Sequence, residues 1–245
     1  MKPCTDVAQA FAERMGMNID WNDPDPTISR LAWISQMPKE FDFSSEHWPP
    51  QFHYAGPFFD EAGRVDSPFP WERLTGEPII YASMGTLQNG QKEIFQKIVD
   101  AAEKLSSFQL VLAIGKNLSL NQIASTMSNT IVVDHAPQPE LLKRAALFVT
   151  HAGMNSALEA LTQGVSMVAI PVTNDQLAVA ARIAHHHVGV SLPLKELTVC
   201  MLQTAMSNVI NDSSYLRKAQ YFRKTIAESD GLDEVAEITE RAFGL

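Results

Sequence analysis

The pattern of apolar and polar positions divides the chain into two regimes. From Met1 to about Arg73 the pattern is irregular. Pro24, Pro26, Pro38, Pro49, Pro50, Pro57, Pro68 and Pro70 interrupt short apolar pieces, a proline density that predicts extended chain with little helix. Within it, Val7 to Met15 predicts a helical piece and Arg30 to Ser35 a short strand, neither able to form a core alone. From Glu77 the pattern becomes an alternation. Strands are expected over residues 78–83, 109–114, 130–134, 147–150 and 166–170. The helices expected between and after them cover 92–105, 120–127, 139–144, 156–163 and 175–187. After Val188-Gly189-Val190, residues 198–243 read as consecutive helices. Continuous apolar strands separated by amphipathic helices indicate a parallel sheet covered on both faces. The expected fold is therefore α/β, a Rossmann-like domain over 74–245 with a helical C-terminal tail, preceded by a separate segment over 1–73.

Sheets of this kind bind ligands outside the carboxyl ends of their strands, so chemistry is expected in four loops. After Ser83 comes Met84-Gly85-Thr86, a small hydroxyl-bearing turn that can either approach a phosphate or simply cap the next helix. His135-Ala136-Pro137-Gln138 follows Asp134; the ring of His135 could stack on a base or be a buried, hydrogen-bonded core histidine. The loop His151-Ala152-Gly153-Met154-Asn155-Ser156 places a helix start, with unpaired N–H groups and a positive dipole end, where a pyrophosphate could sit. The alternative is a capping box, with Ser156 as the cap and Glu159 reaching back. After Ile170, Asp175 and Gln176 can grip vicinal sugar hydroxyls, or Asn174 or Asp175 can serve only as the helix N-cap.

Composition narrows the partners. The 245 residues leave room for one large domain and a fragment of another. A hydrophobic fraction of 45% and a charged fraction of 19% suit an ordinary globular protein. A formal charge of −9 argues against nucleic acid as the main partner, but not against a small anion held by backbone N–H groups. Cys4 and Cys200 match no metal or redox spacing and read as reduced thiols, and neither a membrane span nor a signal peptide is visible. A cytoplasmic protein is expected. His185-His186-His187 cannot converge on one metal, because neighbouring helical residues point about 100° apart. No G-x-G-x-x-G follows a strand, which disfavours a nicotinamide-dependent dehydrogenase.

Taken in order, His135-Ala136-Pro137-Gln138, His151 through Ser156, Glu159, Gly164-Val165, Pro171 and Asp175-Gln176 resemble the donor-binding signature of UDP-glycosyltransferases of the two-domain GT-B fold. Trp33 to Pro38, Phe41-Asp42-Phe43 and Phe52 to Pro57 resemble the interdomain region of the bacterial branch that includes zeaxanthin glucosyltransferases and macrolide-type enzymes. The resemblance implies that residues 1–73 are a remnant of an acceptor domain with its linker, and that 74–245 bind the nucleotide sugar. It implies that His151, Gly153, Asn155 and Ser156 hold the pyrophosphate, with Ser83, Gly85 and Thr86 close by. Glu159 would take the ribose, His135 and Gln138 the uridine, and Asp175 and Gln176 the transferred hexose, with UDP-glucose as the expected co-substrate and no metal cofactor. The chain departs from the family at His135, where many relatives place a tryptophan. The family reaction inverts the anomeric carbon. Its general base is a histidine of the acceptor half that no residue here inherits, so the chain is expected to bind donor better than it transfers sugar to a small hydroxylated lipophilic acceptor. Two other outcomes stay open: a binding subunit completed by a separate acceptor-domain polypeptide, and an inactive remnant.

Overall fold

A computed structural model describes residues 2–19, 28–43, 48–59, 67–85 and 91–244. Helix α1 (Lys2–Arg14) comes first, followed by the short strands β1 (Trp33–Ser35) and β2 (Phe52–Tyr54), which pair in parallel. The main domain then runs β3 (Ile79–Ser83), α2 (Lys92–Ala102), β4 (Gln109–Ala113), β5 (Ile131–Val133), α3 (Gln138–Leu142), β6 (Ala145–Thr150) and α4 (Met154–Gln163). It continues through β7 (Met167–Ala169), α5 (Gln176–His185), β8 (Gly189–Ser191), α6 (Val199–Asn211), α7 (Ser213–Ala227) and α8 (Leu232–Phe243). Strands β3 to β8 form one parallel sheet of order β5-β4-β3-β6-β7-β8.

The strands are apolar throughout because both of their faces are buried. Ile79 and Tyr81 of β3 and Phe148 of β6 point into one core layer, shared with α4, α5 and α7. Ile80, Ala82, Leu147 and Val149 point into the other, against α2 and α6. This is the period-2 alternation of a strand expressed with hydrophobic residues on both sides. The chain enters the sheet at its middle, runs outward to β5, and returns to the far side of β3 as β6. The ends of these two strands, Ser83 and Thr150, are register partners. A crevice opens at such a reversal of strand order.

The helix expected over 120–127 is absent. Only a single 3-10 turn, Leu120–Gln122, forms there, closed by a capping box between Ser119 and Gln122. The backbone beyond it bonds to side chains of α2 and the turn that follows it. Gln96 donates to the Ala124 carbonyl at 2.9 Å and accepts from the Ala124 N–H at 3.1 Å, and Glu103 accepts from the Thr126 N–H at 2.6 Å. With these partners filled from outside, and Ser125 and Thr126 poor helix formers, an internal ladder gains nothing.

The irregular N-terminal stretch is more integrated than its composition suggests. Met37 and Phe41 are buried in the main core, and Phe41 meets Phe222 of α7 edge-on at 5.5 Å. Beside them Asp42, buried, pairs with Arg182 of α5 at 2.5 Å and accepts the Tyr54 hydroxyl at 2.6 Å and its neighbour's N–H, Phe43, at 2.8 Å. Leu31, Trp48, Phe58 and Trp71 remain exposed, leaving apolar surface around this proline-rich stretch. Burial acts to raise the Asp42 pKa, but the hydrogen bonds from Tyr54, Arg182 and Phe43 together outweigh it and hold the carboxyl below its ordinary value.

Asp42→Ala leaves Arg182 and Tyr54 without their buried acceptor, and we expect a loss of about 3 kcal/mol in urea unfolding. Because the folded pKa is depressed, the contribution is complete above the unfolded value of about 3.9 and disappears as pH falls through the folded one. The wild type should therefore lose more stability than Asp42→Asn on acidification through that window. Parallel acid limbs would exclude the assignment.

Candidate functional site

A cleft of ≈ 970 Å³ lies along the carboxyl ends of β3, β4, β5 and β6. Ser83, Gly85, His135, Gln138, His151, Gly153, Asn155, Ser156, Glu159 and Asp175 all line it. Of the residues singled out in the sequence, Thr86 lies outside the described residues. Gln176 departs from its expected place. It is buried, and its Oε1 accepts from the N–H groups of Val172 and Thr173 at 2.8 and 3.0 Å, so it shapes the loop carrying Asp175 and does not line the cleft.

The floor is set by the loop from β6 to α4. Thr150 Oγ1 accepts the Ala152 N–H at 3.2 Å, and Ala152 takes a left-handed φ of 63° although it carries a Cβ. Such a residue costs roughly 1 kcal/mol and is held here by complete burial. Helix α4 then begins at Met154 with Gly153 as N-cap, and no side chain caps it. The first helical bond is Ala157 N–H to the Gly153 carbonyl, so the N–H groups of Met154, Asn155 and Ser156 have no intrahelical acceptor, and these three residues line the cleft. No acidic residue lies in the first turn. The helix thus presents an uncompensated positive end to the cleft. Since it starts ahead of Ser156, the capping-box reading falls away, and Ser156 and Glu159 bond elsewhere.

Their partner is Gln138, the first residue of α3. Its Nε2 donates to Glu159 at 2.6 Å and Ser156 at 3.2 Å, while its Oε1 accepts from the Tyr81 hydroxyl at 3.2 Å. Tyr81 is fully buried and stacks on Phe148, with centroids 5.1 Å apart. Burial, and secondarily the Glu159 charge, raises its pKa far above the ordinary range, so it stays a donor. Tyr81 carried no sequence signal, being one more apolar position of a buried strand. His135 sits exposed at the lip, on the cleft wall and not in the core. Asp175 is N-cap of α5 by position, yet its side chain makes no capping bond, leaving the carboxylate at the opposite edge. Gln36, Phe59 and Ser67 line the cleft from the N-terminal segment, which sequence reading did not foresee.

His151 is wedged between two glycines. A Cβ at Gly85 would come within 2.7 Å of the ring, and one at Gly153 within 2.5 Å of Nε2. Gly153 has an ordinary φ of −65°, so its missing side chain supplies space and not backbone freedom. Burial lowers the His151 pKa, and the Ser83 backbone and the Asp175 carboxylate oppose that shift without cancelling it. The ring is neutral at physiological pH. Among the described residues no group of three or more His, Cys, Asp or Glu side chains could hold a metal, the His185–His187 run included.

Gly153→Ala should force the ring out of its slot, costing about 1–3 kcal/mol in thermal unfolding and displacing the His151 imidazole resonances. In the wild type those resonances should titrate below the ordinary value of about 6.5. Between the two pKa values the unfolded chain binds the proton that the folded site refuses, so this residue's contribution to stability falls as the solution is acidified. A midpoint at or above 6.5 would contradict the buried, neutral ring.

The family model described as "UDP-glucoronosyl and UDP-glucosyl transferase" matches residues 72–224. Among similar proteins, the uncharacterized UDP-glucosyltransferase YojK of Bacillus subtilis is 32% identical over 194 residues, 79% of this chain and 47% of that protein. The zeaxanthin glucosyltransferase of Pantoea ananas is 31% identical over 218 residues, 88% of this chain and 50% of its own length. The chain thus spans about half the length of the curated relatives it matches. Of solved structures, the glycotransferase of kitacinnamycin superposes with a TM-score of 0.81 at 24% identity, over 96% of this chain and 60% of that one. With the matched region covering the six-stranded sheet and the loops at its strand ends, the chain belongs to the UDP-glucuronosyl and UDP-glucosyl transferase family, a family of glycosyltransferases.

Proposed function

We propose that the cleft binds a UDP-sugar, with UDP-glucose as the donor, and that the chain serves inverting transfer of the hexose to a hydroxyl of a small lipophilic acceptor. The observation that carries this reading is the uncapped start of α4 opening into a cleft that has Glu159 and Asp175 on its walls. A diphosphate suits the N–H groups of residues 154–156 and the neutral ring of His151; a ribose suits Glu159 and Gln138; a hexose suits Asp175. His135 at the lip offers a ring face to the base. In the reaction the acceptor oxygen attacks the anomeric carbon, the bond from that carbon to the phosphate oxygen breaks with inversion, and UDP carries away the electron pair. Charge growing on the departing diphosphate is met by donors already in position.

The acceptor's proton must pass to a general base. The His151 ring, enclosed by Gly85 and Gly153, is the group we read as a donor to the leaving group. We assign the base to the acceptor half of the complete enzyme, so residues 1–245 by themselves bind donor and turn it over slowly. A hydroxylated carotenoid or polyketide is the acceptor class, by analogy with the relative named for zeaxanthin. A second reading, a binding subunit completed by a separate acceptor-side polypeptide, is favoured by the exposed Leu31, Trp48, Phe58 and Trp71.

Calorimetric titration with UDP and UDP-glucose tests the donor assignment. Glu159→Ala should weaken UDP by roughly 1–3 kcal/mol through the lost ribose bonds. Asp175→Ala should spare UDP and weaken UDP-glucose. Unchanged affinity in a folded Glu159→Ala variant removes the ribose role, and equal losses of both ligands in Asp175→Ala remove the sugar role.

A further inference from the structure

The N-terminal segment places one polar side chain in the cleft against the helix start. Gln36 Nε2 donates to Asn155 Oδ1 at 2.9 Å, across 119 residues of sequence. Gln36 is half-buried and lines the cleft. Its own position is fixed on both sides. Ser35 ends β1, and its Oγ accepts the Met37 N–H at 3.2 Å. Met37 is buried in the main core, and five residues further on Asp42 is tied to Arg182 and Tyr54.

Asn155 is the second residue of α4, beside the N–H groups that have no intrahelical acceptor. Its amide is two-faced: the carbonyl oxygen repels an anion, and the NH2 group attracts one. A freely rotating amide at a helix N-terminus presents either end to a bound diphosphate. A donor that engages the oxygen from outside the helix removes that ambiguity. We propose that Gln36 is a positioning residue for the diphosphate subsite, holding Asn155 with its oxygen turned to the N-terminal segment and its Nδ2 protons available to the anion. This inference rests on the donor reading above and extends it, because the anion site of the main domain then depends on a side chain from outside the parallel sheet.

The test compares the intact chain with Gln36→Glu, which keeps the shape but cannot donate to Asn155 Oδ1, and Gln36→Leu, which keeps the volume but removes the polar group. UDP and uridine are the two probes, read by calorimetry and by ligand-observed NMR. Expected is a loss of about tenfold in UDP affinity for Gln36→Glu and about threefold to tenfold for Gln36→Leu, with uridine affinity unchanged in both. In the presence of Asn155→Ala the uncharged Gln36→Leu substitution should have no further effect on UDP. Wild-type UDP affinity in both variants overturns the proposal, and so does an equal loss for uridine and UDP, which would signify a general disturbance of the cleft. Failure of the unsubstituted chain to bind UDP would instead remove the donor reading itself.

Discussion

Two parallel strands that lie side by side must end on the same edge of their sheet. Here β3 and β6 are the strands on either side of the reversal in strand order, and their register sets Ser83 against Thr150. Both chains leave the sheet at that edge, and helices already cover its two faces, so the loops after β3 and β6 have to share one rim. They can do so because the contact is made by glycines: Gly85 from one loop and Gly153 from the other leave a slot that the imidazole of His151 fills. The left-handed Ala152 redirects the backbone between ring and helix. The helix start and the neutral ring beside it therefore follow from one strand pairing and the absence of two methyl groups.

The alternation of buried strands and amphipathic helices was legible because its physical cause is local in sequence. Each strand is hydrophobic on both faces and each helix on one, and the order of these elements with the right-handed crossover dictates the sheet. The loops were legible for the same reason, since parallel sheets of this kind open their crevice at the carboxyl ends of the strands. What could not be read depends on partners distant in the chain. The helix expected over 120–127 gave way because Gln96 and Glu103, on and just beyond α2, satisfy backbone groups at Ala124 and Thr126. Tyr81 looks like one more core residue until Gln138 is seen to meet its hydroxyl. Gln36 sits in a stretch whose prolines suggest only a connector. Gln176 and Asp175 look equivalent in sequence, yet the loop turns one carboxylate outward and folds the neighbouring amide back onto Val172 and Thr173.

Glu159 and Asp175 differ in how firmly their surroundings define them. Glu159 belongs to a chain of hydrogen bonds that begins at a buried phenol and passes through the Gln138 amide, so its orientation is fixed by the core. Asp175 is exposed at the start of α5 with no capping bond of its own. The two carboxylates on the cleft walls thus differ in their hydrogen bonding: one is tied to the core through Gln138 and the other is exposed.

Phe41 has a practical consequence for dissecting this protein. A boundary drawn where the sequence changes character, near Arg73, would excise a phenyl ring that fills a space between α5 and α7 and is wholly shielded from solvent. A shortened chain beginning with the first strand of the large sheet would retain the loops at the strand ends but lose Gln36, Phe59 and Ser67 from the cleft wall, and it would carry a void beside Phe222 and an orphaned guanidinium at Arg182. The interior of the large domain is therefore closed by side chains that reach back across the prolines to Met37 and Phe41.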